Sequence, residues 1–459
     1  MKRIYIDWGV VSNLKKPEFA AIKEFFLSSK RELFFVYSIA HFEDALRSEG
    51  DERLLQDIKI LEALVENHLL CYNQKERTAH PYLAMPSEYY RDHKGQNLDI
   101  VPNFSELVSS INKDVPLVGG LLKAILEMPL SIPEEARSQK IFGMMLPGLP
   151  KTPSFGDVID SGMVFVNKML GDKDFYKSYR SSIRASGFYL SPNSGNWKAN
   201  EVIPNISARM KELGIDMSFE EFVLRGFGNK NKVDDFQFFI AAYNMLDLIG
   251  YKSDKLPKAS NAMNSVNTDA QHAYFAAFCD YLITQDSHLT SKARALYHEF
   301  NISTKVISPQ EAIAELSENR NDDLVSFLRE QIQEDNVERR EEGATVFKFT
   351  RRFLGIFTHC IVYEQDLDGI TILEFKLAFD NYSRFIFYDE AGIMVDTVCE
   401  HFGWPSKEDY EIARERIVAG DTGASINWQG EGVLLTLKVD SERHRPELFV
   451  KITATSNQK

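Results

Sequence analysis

Residues 269–289 read DAQHAYFAAFCDYLITQDSHL. The first half spaces its apolar residues as a helix does. The second passes into Tyr281-Leu282-Ile283, a short apolar run suited to a buried strand. A helix over 268–279 therefore feeds a strand over 281–285. Asp269 stands in the first turn of the helix and Asp286 just past the end of the strand. The chain opens with the same alternation. Arg3-Ile4-Tyr5-Ile6-Asp7 predicts a buried strand ending in an acid. A helix follows over 15–31, with Phe19, Ile22, Phe25 and Phe26 at helical spacing, and Leu33–Tyr37 forms a second strand. Ser38 sits at the N-cap of the next helix, which carries Phe42, Leu46, Leu54, Ile58 and Leu61. Beyond residue 286 the pattern gives a helix at 291–299, a strand at 305–308 and a helix at 309–317 with Pro309 in its first turn. Strands alternating with helices at both ends predict one parallel α/β sheet, begun before residue 40 and finished after 280.

Between these parts, from about 75 to 260, helical segments predominate: 102–130, 155–171, 173–186, 205–213, 218–227 and 234–250. The predicted organisation is a first α/β part at 1–75, a helical insertion at 76–260, a second α/β part at 261–317, a charged linker helix at 318–343, and a C-terminal α+β domain at 344–459. For that last domain the pattern predicts strands at 370–379, 384–388, 431–440 and 447–454 and helices at 391–403 and 406–418. It offers no recognisable chemistry. Regulation, oligomerisation or recognition of a partner is its default role.

In open parallel sheets, functional groups gather at the carboxyl ends of strands near the reversal of strand order. Asp7 and Asp286 lie at two such ends. Asp44 lies in the second turn of the helix after the second strand, and Asp269 in the helix leading into the 281–285 strand. Four carboxylates on one rim would repel one another unless a cation neutralised them. An all-oxygen set selects Mg²⁺ or Mn²⁺, ions suited to phosphodiester hydrolysis. Glu43 neighbours Asp44 but points about 100° away on a helix, so Asp44 is preferred. Ser38, His41, Glu43, His272 and Thr284 stand around this set as supporting residues. For His41 and His272 a satisfied, buried imidazole is the competing reading, and for Asp286 a helix cap.

These segments carry a resemblance. IYIDWGVVSNL, YSIAHFEDAL, DAQHAYFAAFCDYLITQDSHL and NISTKVISPQEAI resemble, in order, the successive acidic motifs and closing strand of PIN domains, and together cover about 100 residues. The resemblance implies a PIN-like fold with a large helical insertion. It also implies a Mg²⁺- or Mn²⁺-dependent endonuclease acting on RNA in preference to DNA, with Asp7, Asp44, Asp269 and Asp286 as metal ligands. The chain departs from the family at Trp8, where a small or polar residue is usual, and at Asp44, where Glu is common. The alternatives are a catalytically inactive PIN-like scaffold that binds nucleic acid or protein, and a phosphohydrolase acting on a small nucleotide.

Composition constrains the partners. The net charge of −14 is unlike that of a protein coating nucleic acid through bulk charge. A substrate groove must then be a local basic patch, or a partner must deliver the substrate; a regulatory protein partner or a homo-oligomer is the accompanying expectation. Four scattered cysteines form neither a zinc knuckle nor a disulfide framework, which suits a cytoplasmic protein. No apolar run is long enough to span a bilayer. Asp421-Thr422-Gly423 matches the aspartic-protease triplet but follows a helix and occurs once, so it reads as a turn. Gly226-Phe227-Gly228 lacks phosphate-loop spacing. Arg352 and His359 match a helical ribonuclease motif only by coincidence.

Overall fold

The computed structural model describes residues 2–459 except 31–32, 48–50, 74, 95–125, 186–189, 191–193, 195, 226–232, 254–262, 318–322, 364–369, 377–386, 406, 431, 442–444 and 454–459. The chain divides into two compact units. One holds Met1–Tyr90, Phe275–Gln285 and Ile302–Lys459; the other holds Arg91–Tyr274 and Asp286–Asn301.

The first unit contains a mixed sheet of β1 (Lys2–Ile6), β2 (Leu33–Ser38), β3 (His68–Asn73), β4 (Thr78–Leu83), β5 (Tyr281–Ile283) and β6 (Lys305–Ile307). Its order is β4-β3-β2-β1-β5-β6. All neighbours pair in parallel except β3 and β4. The chain steps outward from β1 to β2 and β3, then returns on the other side of β1 at β5. The order therefore reverses between β1 and β5, where Ile4 pairs with Tyr281 and Ile6 with Ile283.

Strand alternation assigns the two faces of β1. Ile4 and Ile6, with Leu33, Phe35 and Tyr37 of β2, enter the apolar core. That core is closed by α1 (Trp8–Asn13), α2 (Ala20–Ser28), α4 (Asp51–Val65) and α15 (Pro309–Leu316), the last started by a Ser308–Glu311 capping box. Helix α3 (Ile39–Arg47) follows β2 directly, and α5 (Pro86–His93) follows β4. Arg3 and Tyr5 face the opposite way and are fully buried.

A second sheet in this unit is wholly antiparallel, in the order β11-β12-β13-β10-β9-β8-β7. Its strands are β7 (Val337–Glu341), β8 (Ala344–Phe353), β9 (Phe357–Tyr363), β10 (Ile370–Lys376), β11 (Ser425–Gly430), β12 (Val433–Val439) and β13 (Pro446–Thr453), with helices α16 (Leu324–Gln331), α17 (Tyr388–Phe402) and α18 (Lys407–Val418). Arg3 ties α17 to the first sheet. Its guanidinium lies 2.6 Å from Glu390 Oε2 and donates to the Phe278 carbonyl at 3.2 Å, while its backbone N–H donates to Asp280 Oδ2 at 2.7 Å. Asp280 also binds Arg352.

The second unit is helical among its described residues: α6 (Glu134–Arg137), α7 (Lys140–Met145), α8 (Phe155–Gly171), α9 (Lys173–Ala185), α10 (Ala199–Glu212), α11 (Phe219–Arg225), α12 (Asp235–Leu248), most of α13 (Met263–Ala276), and α14 (Ser287–Glu299). Helix α14 packs on α10 and α12. Its Lys292 ammonium lies 3.2 Å from Asp247 of α12, both side chains wholly buried, and Tyr176 of α9 donates to the same carboxylate at 2.7 Å.

Several expectations need correction. The charged linker helix at 318–343 is absent as such. Helix α16 buries Phe327 against Phe349 and Phe353, and residues 337–341 form edge strand β7. Residues 78–83, placed in the helical insertion, pair with β3. The predicted 15–31 helix is a 3₁₀ turn at Pro17–Phe19 followed by α2, and Asp7 follows β1 rather than ending it. Strands β3, β8, β9 and β11 were not foreseen. Arg352 and His359 stand on or beside strand pairings, not on a helix. Most of the 102–130 helix, residues 384–386 of the 384–388 strand and the Gly226–Gly228 loop lie outside the described residues; Phe387 and Tyr388, placed in that strand, instead cap and begin α17. Among the described residues no helix is long and apolar enough to cross a membrane.

Candidate functional site

Asp7 sits where β1 gives way to α1, beside the reversal in strand order. It occupies the N-cap position of α1, but its side chain makes no capping hydrogen bond. The Thr284 hydroxyl, one residue past β5, donates to Asp7 Oδ2 at 2.9 Å, and the Asp7 backbone N–H donates to the Ile283 carbonyl at 3.0 Å. Adjacent parallel strands thus fix both the backbone and the carboxylate of this residue. Beside Oδ2, a Cβ at Gly9 would stand only 3.3 Å away. The glycine leaves an exposed opening next to a carboxylate that is itself 8% exposed.

Asp44 approaches from α3. That helix buries Ala40, His41, Phe42 and Ala45, and Asp44 stands at i+4 from Ala40 and i+3 from His41, at the edge of the buried stripe. Carboxylate oxygens of Asp7 and Asp44 come within 4.8 Å of one another. Arg47, one turn on, lies 3.7 Å from both Glu43 and Asp44 and offsets part of their charge.

The supporting residues divide by role. His41 is fully buried. The Ser38 backbone N–H donates to its Nδ1 at 3.1 Å, so Nε2 carries the proton and donates to the Ile6 carbonyl at 2.7 Å. It is a neutral imidazole that joins the ends of β1 and β2, as the competing reading held. The Ser38 hydroxyl bonds the Tyr5 phenol at 2.6 Å and accepts from the Ala40 N–H at 3.3 Å. Burial pushes the Tyr5 phenol well above its ordinary value, and the negative charges of Asp7 and Asp44 add to this, so Tyr5 stays protonated.

Asp269, His272 and Asp286 belong to the second unit. Helix α13 begins at Met263, which puts Asp269 in its second turn rather than at a helix start, half-buried; His272 is fully buried. Asp286 caps α14: its Oδ1 accepts from the backbone N–H groups of His288 at 2.6 Å and Leu289 at 3.0 Å. Its side chain is exposed.

Thiol chemistry finds no support. The four cysteines are free, and burial pushes the Cys71 thiol up to about 11 and the Cys279 and Cys360 thiols higher still than ordinary. Asp421 accepts from the Gly423 N–H at 2.8 Å in a turn between α18 and β11, as the triplet's context suggested. Comparison with protein-family models, curated proteins and solved structures returned no match for this chain.

Proposed function

We propose that this chain is a PIN-like, metal-dependent endonuclease that cleaves RNA in preference to DNA. The observation that carries the reading is the facing pair Asp7 and Asp44 at the carboxyl end of the central parallel strand, with Thr284 bound to Asp7. This is where an open α/β sheet places its ligands. The donor set fits a hard divalent cation. Both groups are oxygen donors, their like charges lie within 4.8 Å, and Gly9 keeps space beside Asp7. Asp269 and Asp286 are proposed as the further ligands from the order of the acidic motifs in the sequence. A bound Mg²⁺ or Mn²⁺ would supply Lewis-acid polarisation and a more acidic water.

The residues of the chain prepare for that ion. Thr284 fixes the orientation of the Asp7 carboxylate, and His41 and Ser38 hold the strand ends that set its height. Arg47 limits the repulsion between Glu43 and Asp44. The test is cleavage of mixed single-stranded RNA and DNA with Mn²⁺ or EDTA. Cleavage is expected only with metal, and is expected to be lost in Asp7→Asn and Asp286→Asn. Metal-independent cleavage, or activity surviving in both variants, would overturn the reading. Thr284→Val is expected to weaken Mn²⁺ binding by about 10–100-fold, the usual effect of removing a group that orients a ligand. Calorimetric titration with Mn²⁺ checks this, and unchanged affinity would remove Thr284 from the site.

One set of observations favours the non-catalytic scaffold as a second reading: Arg47 already partners Asp44, and the chain is acidic overall. Absence of Mn²⁺ binding in the native chain would select it.

A further inference from the structure

Helices α2 and α4 bound a groove of about 330 Å³ in the first unit. From α4 it takes Gln56, Lys59, Ile60 and Ala63, spaced i, i+3, i+4 and i+7 on one helix face; from α2 it takes Lys23 and Leu27; and Lys15 enters from the segment after α1. Among the described residues no carboxylate lines it. Lys15 is held 2.6 Å from the buried Asp57. Lys23 and Lys59 have no ion-pair partner among the described residues, in a chain whose net charge is −14. Two ammonium groups without an ion-pair partner among the described residues, beside the Asp57-bound Lys15 and over an aliphatic floor, mark a local site for an anion with an apolar body.

We infer that this groove binds the phosphate backbone of a single-stranded nucleic acid as it runs away from the Asp7–Asp44 pair. Lys15 follows Asp7 by eight residues, with only α1 (Trp8–Asn13) and the start of a turn between them. The lysines hold phosphates, and Leu27, Ile60 and Ala63 receive the sugar and base without reading sequence. This is the local basic patch that an acidic nuclease needs, and it rests on the function proposed above.

The test measures binding of a labelled single-stranded oligonucleotide to the full chain in EDTA across a salt series, with cleavage in Mn²⁺ measured in parallel. Lys23→Glu/Lys59→Glu is compared with Lys23→Arg/Lys59→Arg, with Asp7→Asn, and with Lys348→Glu/Lys451→Glu. The last pair makes the same change in net charge on the second sheet. Charge reversal in the groove is expected to weaken binding at least about tenfold and to lower the salt slope by about 1–2. It should raise KM while kcat is retained. The arginine pair and Asp7→Asn should bind as the native chain does. Native-like binding by the groove variant, or equal weakening in the second-sheet control, overturns the groove and leaves the metal site standing. Displacement of the strand by poly-glutamate as readily as by poly-uridylate assigns the groove to an acidic polypeptide and overturns it too, as does a native chain that binds no strand. Strand binding that is lost on charge reversal in a chain that never cleaves keeps the groove and sinks the nuclease.

Discussion

Arg3→Met is expected to lower the stability of the first unit by about 3–5 kcal/mol, the cost of removing one partner from a buried ion pair. Arg3 is wholly buried, and its guanidinium lies 2.6 Å from Glu390, whose side chain is also buried. Among the described residues Glu390 has no second ion-pair partner, so the substitution leaves a carboxylate in a low-dielectric interior. The ring of Phe387, over which the guanidinium sits at 5.8 Å, loses its cation as well. Removing both charges with Arg3→Met/Glu390→Met should restore much of the loss, because burying neither charge avoids both desolvation penalties. Urea unfolding of the native, single and double variants measures the cycle. A single variant within about 0.5 kcal/mol of native would place the pair with exposed ion pairs of little energetic consequence. The consequence reaches the site, because Arg3 lies in β1, the strand that leads directly into Asp7, and Glu390 belongs to α17, 387 residues away in sequence. The antiparallel sheet is in this way braced against the strand that carries the proposed metal ligand.

In the first sheet β1, β2, β5 and β6 were legible, the first three because parallel strands buried on both faces read as unbroken apolar runs, whereas β3 and β4 were not. IYI, LFFVY and YLI are such runs. Other elements escaped for physical reasons. Helix α1 has only six residues, too few for a period to show. The edge strand β4 carries Pro81, a residue tolerated at sheet edges but counted against a strand in sequence. β7, VERRE, is an edge strand guarded by charge, which made it look like a solvated linker. Strand β8 gave no sign because its Phe327 partner lies on α16, outside any local window.

The site was legible to a similar degree. Asp7 and Thr284 could be placed because strand ends are visible in sequence, and Asp44 because β2 runs straight into α3. Asp269 was set too near a helix start because α13 begins earlier, in the polar stretch Met263-Asn264-Ser265. The dual position of Asp286, as helix cap and proposed ligand, follows from its place between strand and helix; the sequence allowed either. The lysine groove could not be read at all. Lys15, Lys23 and Lys59 come from three elements, and only the packing of α2 against α4 brings them together.

In the second unit, Asp247→Asn is expected to destabilise the pairing of α12 with α14 by about 3–5 kcal/mol. The carboxylate takes the Lys292 ammonium at 3.2 Å and the Tyr176 hydroxyl at 2.7 Å, with Arg180 at 3.5 Å. An amide keeps the shape but not the charge, and Lys292, wholly buried and 4.7 Å above the Tyr243 ring, loses the carboxylate charge that faces it. Hydrogen exchange resolves this locally. Amides of 235–248 and 287–299 should lose protection by about a hundred- to several-thousand-fold, the same free energy expressed as a ratio. Protection unchanged in both helices would mean that the pair contributes little. Asp247→Leu/Lys292→Met should recover part of the loss by removing both charges. The functional reach of this pair follows from its helix: Lys292 lies in the second turn of α14, and Asp286 is the cap of that same helix. Loosening α14 frees the backbone N–H groups that fix Asp286 Oδ1, so under the proposed function Asp247→Asn should weaken Mn²⁺ binding along with protection. The double variant, with α14 held by apolar packing, should recover both together. Recovery of protection without recovery of Mn²⁺ affinity would separate the buried pair from the site.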